Sequence, residues 1–241
     1  MTATILNSPN QGQPVDWVLI ATKAYDAAGA APWLASLVGP RTRLAVLQNG
    51  VEHVTRYSRF VAASKILPVV VDMPVERRDR GLFHQRRFGR LIVPDDPNGA
   101  EFAQLFKGTA ITVEAAADFV SAAWSKLAVN CAGAVSALLL KPASIVRIEP
   151  VAAIMRELID ECVAVGRAEG AVFDAEFAEE VLERYRQGPP DAINSMHADR
   201  LAGKPVEVDA RNGAVVRLGK KHGISTPANR IIAALFEGVA R

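Results

Sequence analysis

Asp16-Trp17-Val18-Leu19-Ile20-Ala21-Thr22-Lys23 and Arg43-Leu44-Ala45-Val46-Leu47-Gln48-Asn49-Gly50 are the two stretches that decide the fold. Each is a short continuous apolar run that ends in polar residues, the pattern of a strand buried on both faces. Between them, residues 26–38 have helical composition. A strand, a helix and a second strand within about 35 residues form a βαβ unit, hence a parallel sheet with a right-handed crossover. Ligands bind such sheets outside the carboxyl ends of the strands, so Thr22-Lys23 and Gln48-Asn49-Gly50 stand where a site belongs. Lys23 can neutralise a phosphate, Asn49 offers donors and acceptors, and Gly50 lets a ligand approach the backbone. An Asn-Gly pair is equally a plain turn, and a lysine after a strand is commonly solvated.

Further strands are predicted at residues 66–71, 82–87, 90–93 and 110–114, with a helix over 99–106. Arg77-Arg78-Asp79-Arg80-Gly81 reads as a hairpin turn, which predicts antiparallel pairing for the later strands. From about Asp118 the patterns are helical alone. A long apolar helix is predicted over 119–140, stopped by Pro142. A second over 150–170 has proline at its start and glycine at its end. Others follow over 174–187, 208–222 and 227–239, with Thr226 as N-cap of the last. The predicted organisation is an α/β unit, residues 1–117, followed by an all-α unit, residues 118–241.

Half of the 241 residues are hydrophobic, enough for a sizeable core, and the net charge is only +2. That balance argues against a nucleic-acid partner and for small-molecule chemistry. Cys131 and Cys162 lie in apolar helical patterns without metal-site or disulfide spacing, and read as core thiols in a reducing compartment. No apolar run is expected to approach the roughly 20 residues that span a bilayer. The N-terminal MTATILNSPNQGQP lacks the charged and apolar regions of a signal peptide. No membrane partner and a cytoplasmic location are expected.

Trp124-Ser125-Lys126-Leu127-Ala128-Val129-Asn130-Cys131 sets a lysine and an asparagine four residues apart in an apolar helix, on one face. A buried ammonium needs a partner or an exit to water. The plainer reading is a stem packed on the core with its head in solvent. The other reading is a site.

Several ordered motifs resemble the ketopantoate reductase family, NADP-dependent enzymes that reduce 2-dehydropantoate to pantoate. They are Ala21-Thr22-Lys23-Ala24-Tyr25-Asp26, Gln48-Asn49-Gly50, Lys126-Leu127-Ala128-Val129-Asn130-Cys131, Ser195-Met196 and Glu207-Val208-Asp209. Asn212-Gly213 and the closing His222-Gly223-Ile224-Ser225-Thr226-Pro227-Ala228-Asn229 extend the likeness, which runs from about Asp16 to the C-terminus. The resemblance implies a Rossmann-type parallel sheet domain, here incomplete, and an all-α domain like the C-terminal domain of 6-phosphogluconate dehydrogenase. It implies Lys126 as proton donor to the carbonyl oxygen, with Asn130 binding substrate one turn on. It places Ser195 on the substrate carboxylate, and Glu207 near the cofactor and the reacting hydroxyl. Lys23 and Asn49 would contact the nicotinamide nucleotide, Asn49 touching substrate as well. A small 2-oxo acid substrate, NADP and a possible homodimer complete what the family implies. Chemically the set is coherent, because hydride addition to a ketone builds negative charge that an ammonium stabilises and protonates. Glu207 reads equally as a favourable acid near a helix start, and Asn194-Ser195 as an N-cap.

The sequence departs from the family pattern in two places. Ala134 stands where a second asparagine is expected, and Lys141-Pro142-Ala143-Ser144 lacks a third. Sites that hydrogen-bond a substrate hydroxyl discriminate strongly, so 2-dehydropantoate and related 2-oxo acids both stay open. At the front, no G-x-G-x-x-G occurs anywhere. In that frame Met1 enters near the fourth strand of the usual order, so on the order of 60 residues, about two βαβ units, are expected to be missing, with Ile5-Leu6 a candidate remnant strand. The residue that separates NAD from NADP would fall there too, and NADP rests on resemblance alone. Weak or absent NADPH binding is expected of this chain. The alternative function is an inactive paralogue or fragment acting in dimerisation or ligand binding.

Overall fold

The computed structural model describes residues 3–79, 81–85 and 88–239. Its chain divides into two compact units, Met1–Phe119 and Val120–Arg241.

In the first unit β1 (Trp17–Ile20), β2 (Arg43–Val46) and β3 (Ile66–Pro68) run parallel in the order β1-β2-β3. Trp17 lies opposite Arg43, and Leu44 opposite Ile66. The helix α1 (Ala27–Leu37) makes the crossover between β1 and β2, and α2 (His53–Tyr57) follows β2. β2 is buried on both faces, as its uninterrupted apolar run requires, while β1 leaves Leu19 exposed. Val18, Ile20, Leu44, Val46 and Ile66 pack with Leu34 of α1 and Tyr57 of α2. Ala45 and Leu67 join Val69, Leu91, Val93 and Phe102 in a second core.

The strand expected over 66–71 is broken in two. Val69 N still donates to Val46 O at 3.1 Å, but β4 (Val70–Asp72) then pairs antiparallel with β7 (Arg90–Pro94) in another sheet, whose third strand is β8 (Thr112–Ala116) beside β7. Pro68 has no N–H with which to extend a ladder, and the chain changes sheets just after it. β5 (Val75–Asp79) and β6 (Leu82–Gln85) form the expected hairpin. Its turn is shorter than predicted, since residues 77–79 belong to β5 and Gly81 takes φ 77°, open to glycine at little cost. Of the strand expected over 82–87, residues 86 and 87 lie outside the described residues. β7 and β8 are parallel, not antiparallel, because α3 (Pro97–Gln104) intervenes as a second crossover. Asp96 caps α3, its Oδ1 accepting from Gly99 N at 2.8 Å. Ile5 and Leu6 are exposed and lie in no strand, correcting the remnant reading.

The second unit contains α4 (Phe119–Leu139), α5 (Glu149–Ala168), α6 (Phe177–Gln187), α7 (Ser195–Leu201), α8 (Ala214–His222) and α9 (Pro227–Val239). Residues 131–137 of α4 are small apart from Val135, and all are buried, so neighbouring side chains reach its backbone carbonyls. Tyr185 Oη donates to Val129 O at 2.8 Å, and Asn194 Nδ2 to Gly133 O at 2.7 Å. Asn212 Nδ2 donates to Cys131 O at 3.4 Å, and Arg200 Nη1 to Ala137 O at 2.8 Å. Each carbonyl has a second lone pair left over from the helix ladder. At 21 residues α4 is long and apolar enough to cross a bilayer, against the sequence expectation, yet 61% of its most apolar window is buried inside the protein. It is the core helix of this unit. Cys131 and Cys162 are buried free thiols, and burial pushes the Cys162 thiol well up.

Two features of this unit differ from the sequence expectation. The helix predicted over 208–222 begins as a turn of π-helix, Asp209–Gly213, before α8. α7 was not predicted, being short and flanked by polar residues.

Candidate active site

In the first unit the carboxyl ends of β1 and β2 are tied by Gln48. Its Nε2 donates to Thr22 O at 3.0 Å and Lys23 O at 3.1 Å, while its Oε1 accepts from Tyr57 Oη at 3.1 Å. The Gln48 carbonyl accepts from His53 Nε2 at 2.8 Å, which fixes the tautomer, since a carbonyl cannot donate. Burial holds the His53 pKa down to about 4, so the ring is neutral at ordinary pH. Lys23 and Asn49, both half-buried, are thereby set on adjacent loops at one end of the sheet. Gly50 follows at φ 102°, which leaves open backbone beside Asn49.

In the second unit Lys126 and Asn130 are both half-buried on α4, a turn apart, with Leu127, Ala128 and Cys131 fully buried behind them. Lys126 thus sits at the margin of the core. Glu207 is only 4% exposed, and Arg211 2%. Arg211 Nη2 lies 3.8 Å from Glu207 Oε2 and donates to Ser195 Oγ at 2.9 Å. Burial lowers the Arg211 pKa, opposed chiefly by Glu207. The N-cap of α7 is Asn194, whose Oδ1 accepts from His197 N at 2.9 Å. Ser195, an exposed residue, is therefore relieved of capping, and its hydroxyl is taken up by Arg211.

The structure joins Ser195 and Glu207 through Arg211, a residue that sequence reasoning missed. The available signal was an acid and a base at i, i+4 in Glu207-Val208-Asp209-Ala210-Arg211, a spacing that more often marks a solvated helix face. Asn212 and Asn229, part of the closing motif, have a structural role. Asn212 Nδ2 donates to Asn229 Oδ1 at 2.9 Å, and Asn229 Nδ2 to Glu161 Oε2 at 2.7 Å. Glu161 also accepts the Ala228 and Asn229 N–H groups, so a carboxylate meets the positive end of α9. This network fixes the π-helical turn that carries Arg211.

Residues 2–98 match the family model "Ketopantoate reductase PanE/ApbA", and residues 118–240 its C-terminal counterpart. A protein named 2-dehydropantoate 2-reductase from Caulobacter vibrioides is 51% identical over 239 residues, covering 99% of this chain and 82% of that one. The chain belongs to the ketopantoate reductase family. A 2-dehydropantoate 2-reductase of Mycobacterium tuberculosis is 39% identical, covering 92% of this chain and 76% of its own. Among solved ketopantoate reductases, that of Ralstonia eutropha JMP134 superposes with a TM-score of 0.86 at 33% identity, over 97% of this chain and 78% of its own. The fold extends to a D-mandelate dehydrogenase solved with NADH, TM-score 0.83 at 20% identity, over 94% of this chain and 76% of its own. In this ketopantoate reductase fold the parallel sheet carries Lys23 and Asn49, and the helical unit carries Lys126, Asn130, Ser195 and Glu207.

Proposed function

We propose that this protein reduces a 2-oxo acid to a 2-hydroxy acid with NADPH, 2-dehydropantoate to pantoate or a close relative of that pair. The observation that carries the reading is 51% identity across nearly the whole chain with a protein bearing that activity in its name. NADPH supplies a hydride when bound, and this chain's residues supply the rest. Addition of that hydride to C2 builds negative charge on the ketone oxygen. Lys126 stabilises the charge and gives up a proton to the oxygen, then regains one from water. Glu207 orients the lysine and the forming hydroxyl, Asn130 and Asn49 hold the substrate, and Ser195 takes its carboxylate. The helical unit is thus the substrate and catalytic domain, residues 118–241, and residues 1–117 the cofactor side. A homodimer and a cytoplasmic location belong to the same reading.

An ammonium, a carboxamide and a glycine at φ 102° at the carboxyl ends of parallel strands fit the polar groups of a nicotinamide nucleotide. Lys23 and Asn49 would hold that end. The 241 residues contain no G-x-G-x-x-G for the pyrophosphate. NADPH consumption with 2-dehydropantoate should therefore be measured on this chain, and on the chain extended by whatever is encoded in frame ahead of Met1. Turnover by either form supports the reading. Absence of turnover in both would replace it with a non-catalytic ligand-binding or dimerisation module.

A further inference from the structure

Arg211 is a cation in the wrong place for a simple ion pair. It is fully buried, its Nε has no hydrogen-bond partner among the described residues, and its contact with Glu207 spans 3.8 Å, too long for a hydrogen bond. Desolvating a guanidinium is repaid only when the geometry is good and the donors are used. The Arg211 side chain meets neither condition, so its charge is incompletely compensated within the fold. Among the described residues its short contact is with Ser195 Oγ, at 2.9 Å. A guanidinium only donates, so Ser195 Oγ is the acceptor and the serine's own hydrogen is left to point elsewhere. Asn194 serves as the N-cap, and no acceptor for that hydrogen is found among the described residues. Ser195 is an exposed residue, so its hydroxyl links the solvent-accessible surface to a buried positive charge.

We propose that Arg211 is a positioning and specificity-determining residue, which fixes Ser195 as an outward donor and selects, through it, the carboxylate of a 2-oxo or 2-hydroxy acid. The inference rests on the assignment of Ser195 to the substrate made above. It adds a residue that acts through Ser195, and it accounts for a buried cation that the reduction chemistry does not use. Field from a desolvated charge is weakly screened, so one intervening hydroxyl transmits it to an anion at the surface.

Calorimetric titration of the whole chain with pantoate and with pantoate methyl ester tests this. Pantoate binding is expected to fall about tenfold or more in Arg211→Met, the loss of a charge-assisted contact, while ester binding changes less than about twofold. Arg211→Lys keeps the charge without the fork and should recover part of the loss. Arg211→Met combined with Ser195→Ala should bind pantoate no more weakly than the worse single variant, because the pair acts as one unit. Equal weakening of acid and ester, unchanged pantoate binding in Arg211→Met, or a wild-type chain that binds the acid no better than the ester would each overturn the proposal. If Arg211→Met fails to fold by circular dichroism, Ser195→Ala and Arg211→Lys decide by the same acid-to-ester comparison. Intact pantoate selectivity without turnover counts against the reductase reading alone, and turnover without Arg211-dependent selectivity counts against Arg211 alone.

Discussion

The acid role proposed for Lys126 fits its position at the edge of a packed helix. Leu127, Ala128 and Cys131 are buried around it, while its own side chain is half-buried and so close to both core and solvent. Lys126→Ala should lower kcat by about 10²–10⁴-fold, the usual worth of general acid catalysis, with the NADPH Kd little changed. Single-turnover kinetics beside a cofactor titration separates the two quantities. Gly133 is constrained differently: a Cβ there would lie 2.7 Å from Tyr185 Oη and 3.0 Å from Asn194 Nδ2. Gly133→Ala is expected to cost about 1–3 kcal/mol of stability, read from denaturant midpoints, because both neighbours are held by hydrogen bonds to α4 and cannot simply withdraw. His53 makes a pH prediction. Its pKa is near 4 when folded and near 6.5 when unfolded, so between those values the unfolded chain binds more protons. Stability therefore falls as pH drops from about 6.5 to about 4, by roughly 3 kcal/mol, and falls no further from this group below that. His53→Gln should flatten that segment of a stability-versus-pH curve.

At the scale of elements, α4 is held by side chains on its carbonyls as much as by apolar packing. Arg200 places a cation at its C-terminal end, where the helix dipole is negative, and donates to Ala137 O. Arg200→Ala should destabilise the protein by about 1 kcal/mol, and hydrogen exchange should show the loss in the last turn of α4 first. Elements with strong end signals could be read from sequence: α5 has Pro150 near its start and Gly170 just beyond its end, and α9 opens at Pro227. β2 was visible because both of its faces are buried, and β1 as an apolar run in which only Leu19 is exposed. β5 was hidden because it consists of Val75 followed by charged residues, a composition that resembles a turn. The π-helical turn was hidden because one extra residue leaves the apolar periodicity nearly unchanged. As candidates, Lys126, Asn130, Ser195 and Glu207 stand out by motif and by chemistry. Arg211 could not, since only the tertiary structure shows that its charge is buried.

For the whole molecule, the parallel sheet of the first unit has β1 at its edge, paired with β2 alone among the described strands, and Leu19 on it is 42% exposed. An unpaired apolar edge invites association between chains. Sedimentation should show concentration-dependent association that Leu19→Lys reduces. The relatives are longer than this chain, which spans 82% of the Caulobacter vibrioides protein, so activity has to be judged on both the short and the extended forms. In the proposed function a 2-oxo acid is reduced at a site where Lys126 supplies the proton. The most direct measurement of this is kcat for NADPH-dependent reduction of 2-dehydropantoate by wild type and Lys126→Ala in whichever form binds NADPH. Turnover is expected in the first, and a fall of at least about a hundredfold in the second. Equal turnover in the two, with NADPH bound equally, would contradict that role for Lys126.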